Sequence, residues 1–509
     1  MLTPLLTRPW LADVTCVLAG LILPLAFAPV NAGLSAILSL ALLFSAWLNA
    51  SPRRALWRGW LFGVAAFGAG VSWIFVSIYH YGGVPGVMAV GLTVLFVAFL
   101  ALYPALVGYA VNRLDGGLSR PAVGRRLLLL MPAGWMLGEW LRGWMFTGFP
   151  WLNVGYSQIQ NWLGGWAPVG GVYVVSLVAA EVAGCVAFFL VARRSSLRWR
   201  VSLGVLGLAA VSWGLTRVEW VRPVGDPLTV SLIQGNIPQD QKWLPALREP
   251  TIDLYEKLSR ENLDSDLIIW PETAVPDFFH RAEDRLEALA ALGRASQTDF
   301  LVGVLVLDRS SGAYFNSMVS LGTVRGFYHK RHLVPFTEYL PWKAVLGPVV
   351  SFMNVPMSDF SRGRMNQPPL LVAGQPVAVS ICFEDAFGEE LIARARQATL
   401  LVNVSNDAWF SGSLAPYQHL QIAQMRALET GRPMLRATNT GATAFVDHRG
   451  GLHRAPLYET TVLKRQVQPM RGLTPYTIVG NALALTAAVV LGGAAVLHRR
   501  RRLTTETMS

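Results

Sequence analysis

Ala378-Val379-Ser380-Ile381-Cys382-Phe383-Glu384-Asp385 is an apolar, β-branched run that ends abruptly in a thiol and two carboxylates. Runs of this kind read as buried strands that surface at a sheet edge. Two earlier runs end the same way. Leu267-Ile268-Ile269-Trp270-Pro271 leads to Glu272, and Gly326-Phe327-Tyr328-His329 leads to Lys330. A carboxylate, an ammonium and a thiol at three strand ends are the parts of an acyl-transfer site with a cysteine nucleophile.

The composition places these strands in unusual company. The chain has 509 residues, too many for one ordinary domain. It is 53% hydrophobic and only 15% charged, well off the globular average of about 25% charged. The bilayer is therefore an expected partner. A net charge of +12 raises the question of nucleic acid. The basic residues, however, stand in short runs beside apolar segments with no basic-aromatic patch, so they read as topology signals and no nucleic-acid partner is expected.

Eight apolar segments approach the roughly 20 residues that span a bilayer as helix. Seven precede the polar part: Leu11–Val30, Leu34–Ala50, Leu56–Tyr79, Gly86–Val111, Leu127–Trp144, Val169–Ala192 and Val201–Leu215. The eighth is Tyr476–Leu497. Arg53, Arg54 and Arg58, then Arg113, Arg120, Arg125 and Arg126, then Arg193, Arg194, Arg198 and Arg200 fill alternate connections, and Arg499 to Arg502 follow the last span. The excess of arginine on one side predicts an inner-membrane protein with both termini cytoplasmic. The polar segment then lies in the periplasm. The expected division is residues 1–220 (seven spans), 221–474 (catalytic domain) and 475–509 (last span and basic tail).

The periplasm is oxidising. Cys16 and Cys185 fall in apolar segments, so Cys382 stands alone in the polar part. A lone thiol there risks oxidation, and retaining one calls for a chemical role. One connection on the same side carries Glu139 and Arg142, three residues apart on one helix face and able to pair. Ionisable groups near a membrane are candidates for function, and Trp140, Trp144, Trp151 and Tyr156 around them suit an aromatic belt equally well. In the polar segment, strand-like and helix-like stretches alternate, which predicts a layered α/β domain. Tyr339–Phe360, rich in apolar residues and punctuated by Pro and Gly, follows neither period. It reads as a packed loop or as a lid carrying Phe352 and Met353 toward lipid.

Trp270-Pro271-Glu272, Lys330-Arg331-His332-Leu333-Val334-Pro335 and Ile381-Cys382-Phe383-Glu384, in that order, resemble the nitrilase superfamily. With the spans, and with Val404-Ser405-Asn406-Asp407-Ala408-Trp409-Phe410, the chain resembles the membrane-integral apolipoprotein N-acyltransferase family over nearly its whole length. The resemblance implies an eight-helix membrane domain carrying a periplasmic α-β-β-α sandwich. It also implies transfer of the sn-1 acyl chain of a phospholipid to the α-amino group of the diacylglyceryl-cysteine of an apolipoprotein. Glu272 would be the base, Lys330 the oxyanion partner and Cys382 the nucleophile. Glu338 would support them, and Trp243 and Trp409 would lie toward substrate; the residues themselves add Glu384 as a candidate support and Phe383, Glu139 and Arg142 as candidates toward substrate. Phe383 stands where the family often has tyrosine, so a hydroxyl role does not carry over. The partners expected are the phospholipid donor, the apolipoprotein acceptor and the bilayer, and the chain is expected to act as a monomer. No cofactor is expected. The separations of His329, His332 and His419 match no standard ligand spacing, so no metal is expected either. A membrane-tethered amidase would share the three residues but leaves seven preceding spans unexplained. A transporter would lean on Glu139, Arg142 and Glu181, yet paired inverted repeats are not evident.

Overall fold

The computed structural model describes residues 8–48, 50–114, 120–192, 196–343 and 359–506. The expected lid residues Phe352 and Met353 lie outside them. The chain divides into two compact units: 1–72 with 90–218 and 479–509, and 73–89 with 219–478.

The first unit is helical. Among the described residues, Pro9–Ala26, Gly86–Leu114 and Trp162–Val191 are long and apolar enough to cross a membrane, and Leu34–Leu48 and Ala482–Leu497 are shorter apolar helices. The expected third span is broken. Pro52–Val71 and Ile74–Tyr81 qualify only when taken together. At the break the chain enters the second unit, within which the Trp73 indole donates to Gln418 Oε1 at 3.0 Å and its ring meets Phe410 edge-on. The expected spans Leu127–Trp144 and Val201–Leu215 correspond to the helices Met131–Arg142 and Arg198–Leu215, which fall outside the apolar set. Two of the arginines read as topology signals also hold the helices together. Arg58 is buried, donating to Asp13 Oδ1 at 3.1 Å and to the Ala46 carbonyl, and Arg126 donates to the Leu48 carbonyl.

The second unit is built on strands. Its main strands, in chain order, are β1 (Leu228–Gln234), β2 (Leu267–Ile269), β3 (Asp299–Leu307), β4 (Tyr314–Leu321) and β5 (Gly326–His329). There follow β6 (Leu370–Val372), β7 (Gln375–Ile381), β8 (Leu400–Ser405), β9 (Met434–Thr438), β10 (Ala444–Val446), β11 (Leu452–Arg454) and β12 (Thr461–Val467). One sheet runs β12-β1-β2-β3-β4-β5 and the other β11-β10-β9-β8-β7-β6. Each has parallel pairs at its centre and antiparallel pairs outside: β1-β2-β3 in the first, β7-β8-β9 in the second.

Alternation along the strands makes the layers. Val230, Leu232, Leu267 and Ile269 meet Val377, Val379, Ile381, Val402 and Val404 between the sheets. The residues between them face outward: Ile233 and Ile268 pack under the helices Arg248–Arg260 and Glu283–Ser296, and Ala378 and Leu401 under Gly388–Ala395 and Ala415–Thr430. A side-chain period of two, apolar on both faces, gives an α-β-β-α sandwich. Pro416 opens Ala415–Thr430, where its missing N–H costs nothing, and Gly431 closes that helix at φ +66°.

The Glu272 turn rests on β3. Trp270 is fully buried, stacks on Tyr255 at 5.1 Å, and its N–H donates to Ser259 Oγ at 2.9 Å. Gly303 passes directly beneath, where a Cβ would lie 2.1 Å from the Pro271 carbonyl oxygen and 2.6 Å from the Thr273 nitrogen. Gly303→Ala should therefore push the turn off the sheet and lower stability by about 1–3 kcal/mol. Thermal melting with an activity assay checks this; an unchanged melting temperature with full activity would contradict it.

Candidate active site

Three side chains leave neighbouring strand ends. Lys330 follows β5 immediately, Cys382 follows β7 immediately, and Glu272 lies three residues past β2. The Lys330 side chain is 1% exposed. Its Nζ lies 2.8 Å from Glu338 Oε1 and 3.3 Å from Glu272 Oε1. Cys382 is close enough to Glu272, Lys330 and Glu338 to feel the charge of all three.

The carboxylates are held as firmly as the ammonium. Glu272 Oε1 accepts from Asn316 Nδ2 at 2.7 Å, and its Oε2 accepts from the Asn406 backbone N–H at 2.9 Å. Glu338 Oε2 accepts from the Val334 N–H at 2.8 Å. Glu384 faces away from this cluster and ties two strand ends together. It accepts from the N–H groups of Ile381 (2.7 Å), Arg331 (2.7 Å) and His332 (3.1 Å), and from the Tyr328 hydroxyl. The strand that ends before Cys382 and the loop that carries Lys330 are thereby fastened to one carboxylate.

Burial opposes the charge of Lys330, but Glu272 and Glu338 outweigh it and hold the ammonium well above its ordinary pKa. Burial also pushes the Cys382 thiol up. Glu272 adds to that rise, and Lys330 offsets only part of it. Burial raises the Glu338 carboxyl as well, against the pull of Lys330. The resting thiol is thus protonated and needs a base beside it. Cys382 itself sits at φ +56°, a left-handed conformation that a residue with a side chain adopts at a cost of about 1–3 kcal/mol.

The remaining expected residues scatter. Phe383 is half-buried, edge-on to His332 and Phe387. Trp243 is 37% exposed, and Trp409 meets Tyr81 edge-on at 5.5 Å. Glu139 and Arg142 belong to the helical unit, where the bonds they make grip the connection that follows. Glu139 Oε1 accepts from the Val154 N–H and the Trp135 indole, both at 2.9 Å. Arg142 donates to the carbonyls of Phe149 and Trp151 and to Asn153 Oδ1. The three histidines lie in separate settings: His329 against Ser317, His332 against Glu390, and His419 among Asp385, Asp407 and Arg436.

Sequence reasoning missed Asn316 and Lys242. Asn316 reaches both Glu272 and Glu338, the latter at 3.4 Å. Lys242 is buried beside the exposed Trp243, and its Nζ donates to the Glu272 carbonyl oxygen at 3.0 Å. Burial lowers its pKa to about 8, with Glu272 pulling the other way. A lysine in a Pro-bounded polar loop looks like solvated surface, so only the fold reveals it.

Two family models match the chain: "Apolipoprotein N-acyltransferase N-terminal domain" over residues 19–185 and "Carbon-nitrogen hydrolase" over residues 229–475. An apolipoprotein N-acyltransferase of Methylococcus capsulatus is 48% identical, covering 95% of both chains. One from Nitrosomonas europaea is 45% identical over 92% of this chain and 94% of its own. Among solved structures, a carbon-nitrogen hydrolase from Helicobacter pylori G27 matches 47% of this chain and 89% of its own at 14% identity, with a TM-score of 0.37.

A raised thiol pKa has a direct readout. Alkylation of Cys382 by iodoacetamide, followed by peptide mass mapping, should keep accelerating through pH 9, because thiolate forms only as the pH climbs toward the raised value. A plateau reached below pH 8 would show a thiolate already present at rest.

Proposed function

The chain belongs to the apolipoprotein N-acyltransferase family, and from that premise we propose that it moves the sn-1 acyl chain of a phospholipid, such as phosphatidylethanolamine, onto a lipoprotein's N-terminal amine through a thioester on Cys382. The observation that carries this reading is the buried cluster Glu272–Lys330–Glu338 beside a cysteine in a left-handed turn.

In the first half-reaction Glu272 accepts the thiol proton, and the sulfur attacks the sn-1 ester carbonyl. Lys330, helped by backbone N–H groups after Cys382, stabilises the oxyanion. The tetrahedral adduct collapses, the C–O bond to glycerol breaks, and Glu272 returns its proton to the departing lysophospholipid oxygen. In the second half-reaction the α-amine of the diacylglyceryl-cysteine attacks the thioester carbonyl and loses a proton to Glu272. The C–S bond breaks, the amide forms, and the sulfur takes the proton back. Two half-reactions sharing one acyl-enzyme give ping-pong kinetics. Glu338 holds Lys330 in place, and Glu384 holds the two loops that carry Lys330 and Cys382. Trp243, Trp409 and Phe383 line the approach of the lipid chains.

The same reading includes eight spans, a catalytic domain over 221–474 in the periplasm and both termini in the cytoplasm. The alternation of arginine-rich connections supports that orientation. The chain acts as a monomer in the inner membrane, with no cofactor.

The test is transfer of a labelled sn-1 chain from phosphatidylethanolamine to a diacylglyceryl peptide by the full-length enzyme. An N-acylated peptide is expected. Cys382→Ala should abolish transfer without unfolding, and Glu272→Gln should slow release of lysophospholipid by about 10²–10⁴-fold. Full activity in the Cys382→Ala variant would end the covalent mechanism, and a normal lysophospholipid burst in Glu272→Gln would end the role of Glu272 as base.

A further inference from the structure

The carbonyl oxygen of Cys382 is gripped by two side chains. Asn403 Nδ2 donates to it at 2.9 Å, and His419 Nε2 lies 3.2 Å away. Asn403 comes from β8, which pairs with the nucleophile strand; His419 comes from the helix Ala415–Thr430 that covers the sheet.

His419 sits in a cluster of buried charge. Its Nε2 is 2.9 Å from Asp385 Oδ1, and its Nδ1 is 2.9 Å from the Arg436 guanidinium and 3.3 Å from Asp407 Oδ1. Arg436 also reaches Asp385 Oδ2 (3.3 Å), Asp407 Oδ2 (3.2 Å) and Asn403 Oδ1. Ser405 Oγ donates to Asp407 at 2.7 Å. Arginine only donates, so in the neutral ring Nδ1 accepts from Arg436 and the proton sits on Nε2. Burial and Arg436 push the His419 pKa down, and the two aspartates outweigh them and leave it raised. Nε2 carries one proton in either charge state, and it is shared between Asp385 Oδ1 at 2.9 Å and the Cys382 carbonyl at 3.2 Å.

An arrangement this polar is expensive to bury, and apolar residues would fill the same space at least as stably. They would not supply a donor at the Cys382 carbonyl. That carbonyl and the Phe383 N–H belong to one planar trans peptide, so they point in opposite directions. Fixing the oxygen between Asn403 and His419 fixes the aim of the Phe383 N–H on the other side. Rotating that peptide plane would move the N–H while leaving the Cα–Cβ–Sγ direction of Cys382 in place.

We propose that His419, with Asn403, is a positioning residue that aims the Phe383 N–H as an oxyanion donor by holding the Cys382 carbonyl. The inference rests on the reading of Cys382 as the acylated nucleophile. It separates the oxyanion geometry from the reactivity of the sulfur, and the two are measured separately.

The experiment uses the full-length enzyme in phospholipid-detergent micelles. It follows acylation of Cys382 by phosphatidylethanolamine and alkylation of Cys382 by iodoacetamide, both by mass spectrometry. His419→Ala should slow acylation on the order of 10²-fold. KM for phospholipid and the alkylation rate should be unchanged. His419→Gln, which keeps an N–H at similar reach, should recover about tenfold of that loss. Wild-type acylation in folded His419→Ala, or an equal fall in acylation and alkylation, would overturn the proposal. If His419→Ala does not fold, His419→Gln decides. Acylation within about tenfold of wild type supports the donor, and acylation as slow as the alanine expectation overturns it. A wild-type enzyme that is alkylated but never acylated would instead remove the reading of Cys382 on which the inference stands.

Discussion

A buried ammonium persists only in anionic company. Lys330 has Glu338 at 2.8 Å and Glu272 at 3.3 Å, and both carboxylates depend on it in return. Without Lys330, two buried carboxylates would share Asn316 and repel each other; without either carboxylate, the ammonium would face a dry interior. This mutual dependence fixes the three side chains more tightly than any single bond. It also sets the resting state of Cys382. Burial disfavours a thiolate there, Glu272 adds to that, and Lys330 offsets only part of it, so the sulfur rests protonated.

The sandwich supplies what the cluster cannot. β5 and β7 end at the residues before Lys330 and Cys382, and Glu384 fastens the two ends by accepting from Ile381, Arg331 and His332. Glu272 is placed from the helix side, by the buried Trp270 and by the close passage of Gly303. The strain of a left-handed Cys382 is carried by β8 and the helix Ala415–Thr430, whose side chains meet its carbonyl.

Much of this was legible in the sequence because strand and helix periods are strong where burial is complete. The run Gly326–His329 that leads to Lys330 is β5 over the same residues, and the apolar run before Cys382 is the end of β7. Two edge strands carry no such signal. Leu452–Arg454 is exposed throughout, and Thr461–Val467 carries Lys464, Arg465 and Gln466 with no alternation. The break in the third apolar segment was hidden because Trp73 is apolar in sequence, while its indole N–H bonds Gln418 more than three hundred residues away. Lys242 and Asn316 escaped for the same reason: what they do is set by the Glu272 turn they reach, and nothing local announces it.

The most direct test of the account is to catch the acyl group on the sulfur. Intact mass spectrometry of the full-length enzyme, after exposure to phosphatidylethanolamine without acceptor, should show one added acyl chain. Peptide mapping should place it on Cys382, hydroxylamine should remove it, and a diacylglyceryl peptide should discharge it as amide. An unmodified Cys382 in enzyme that nevertheless forms N-acylated peptide would contradict the account.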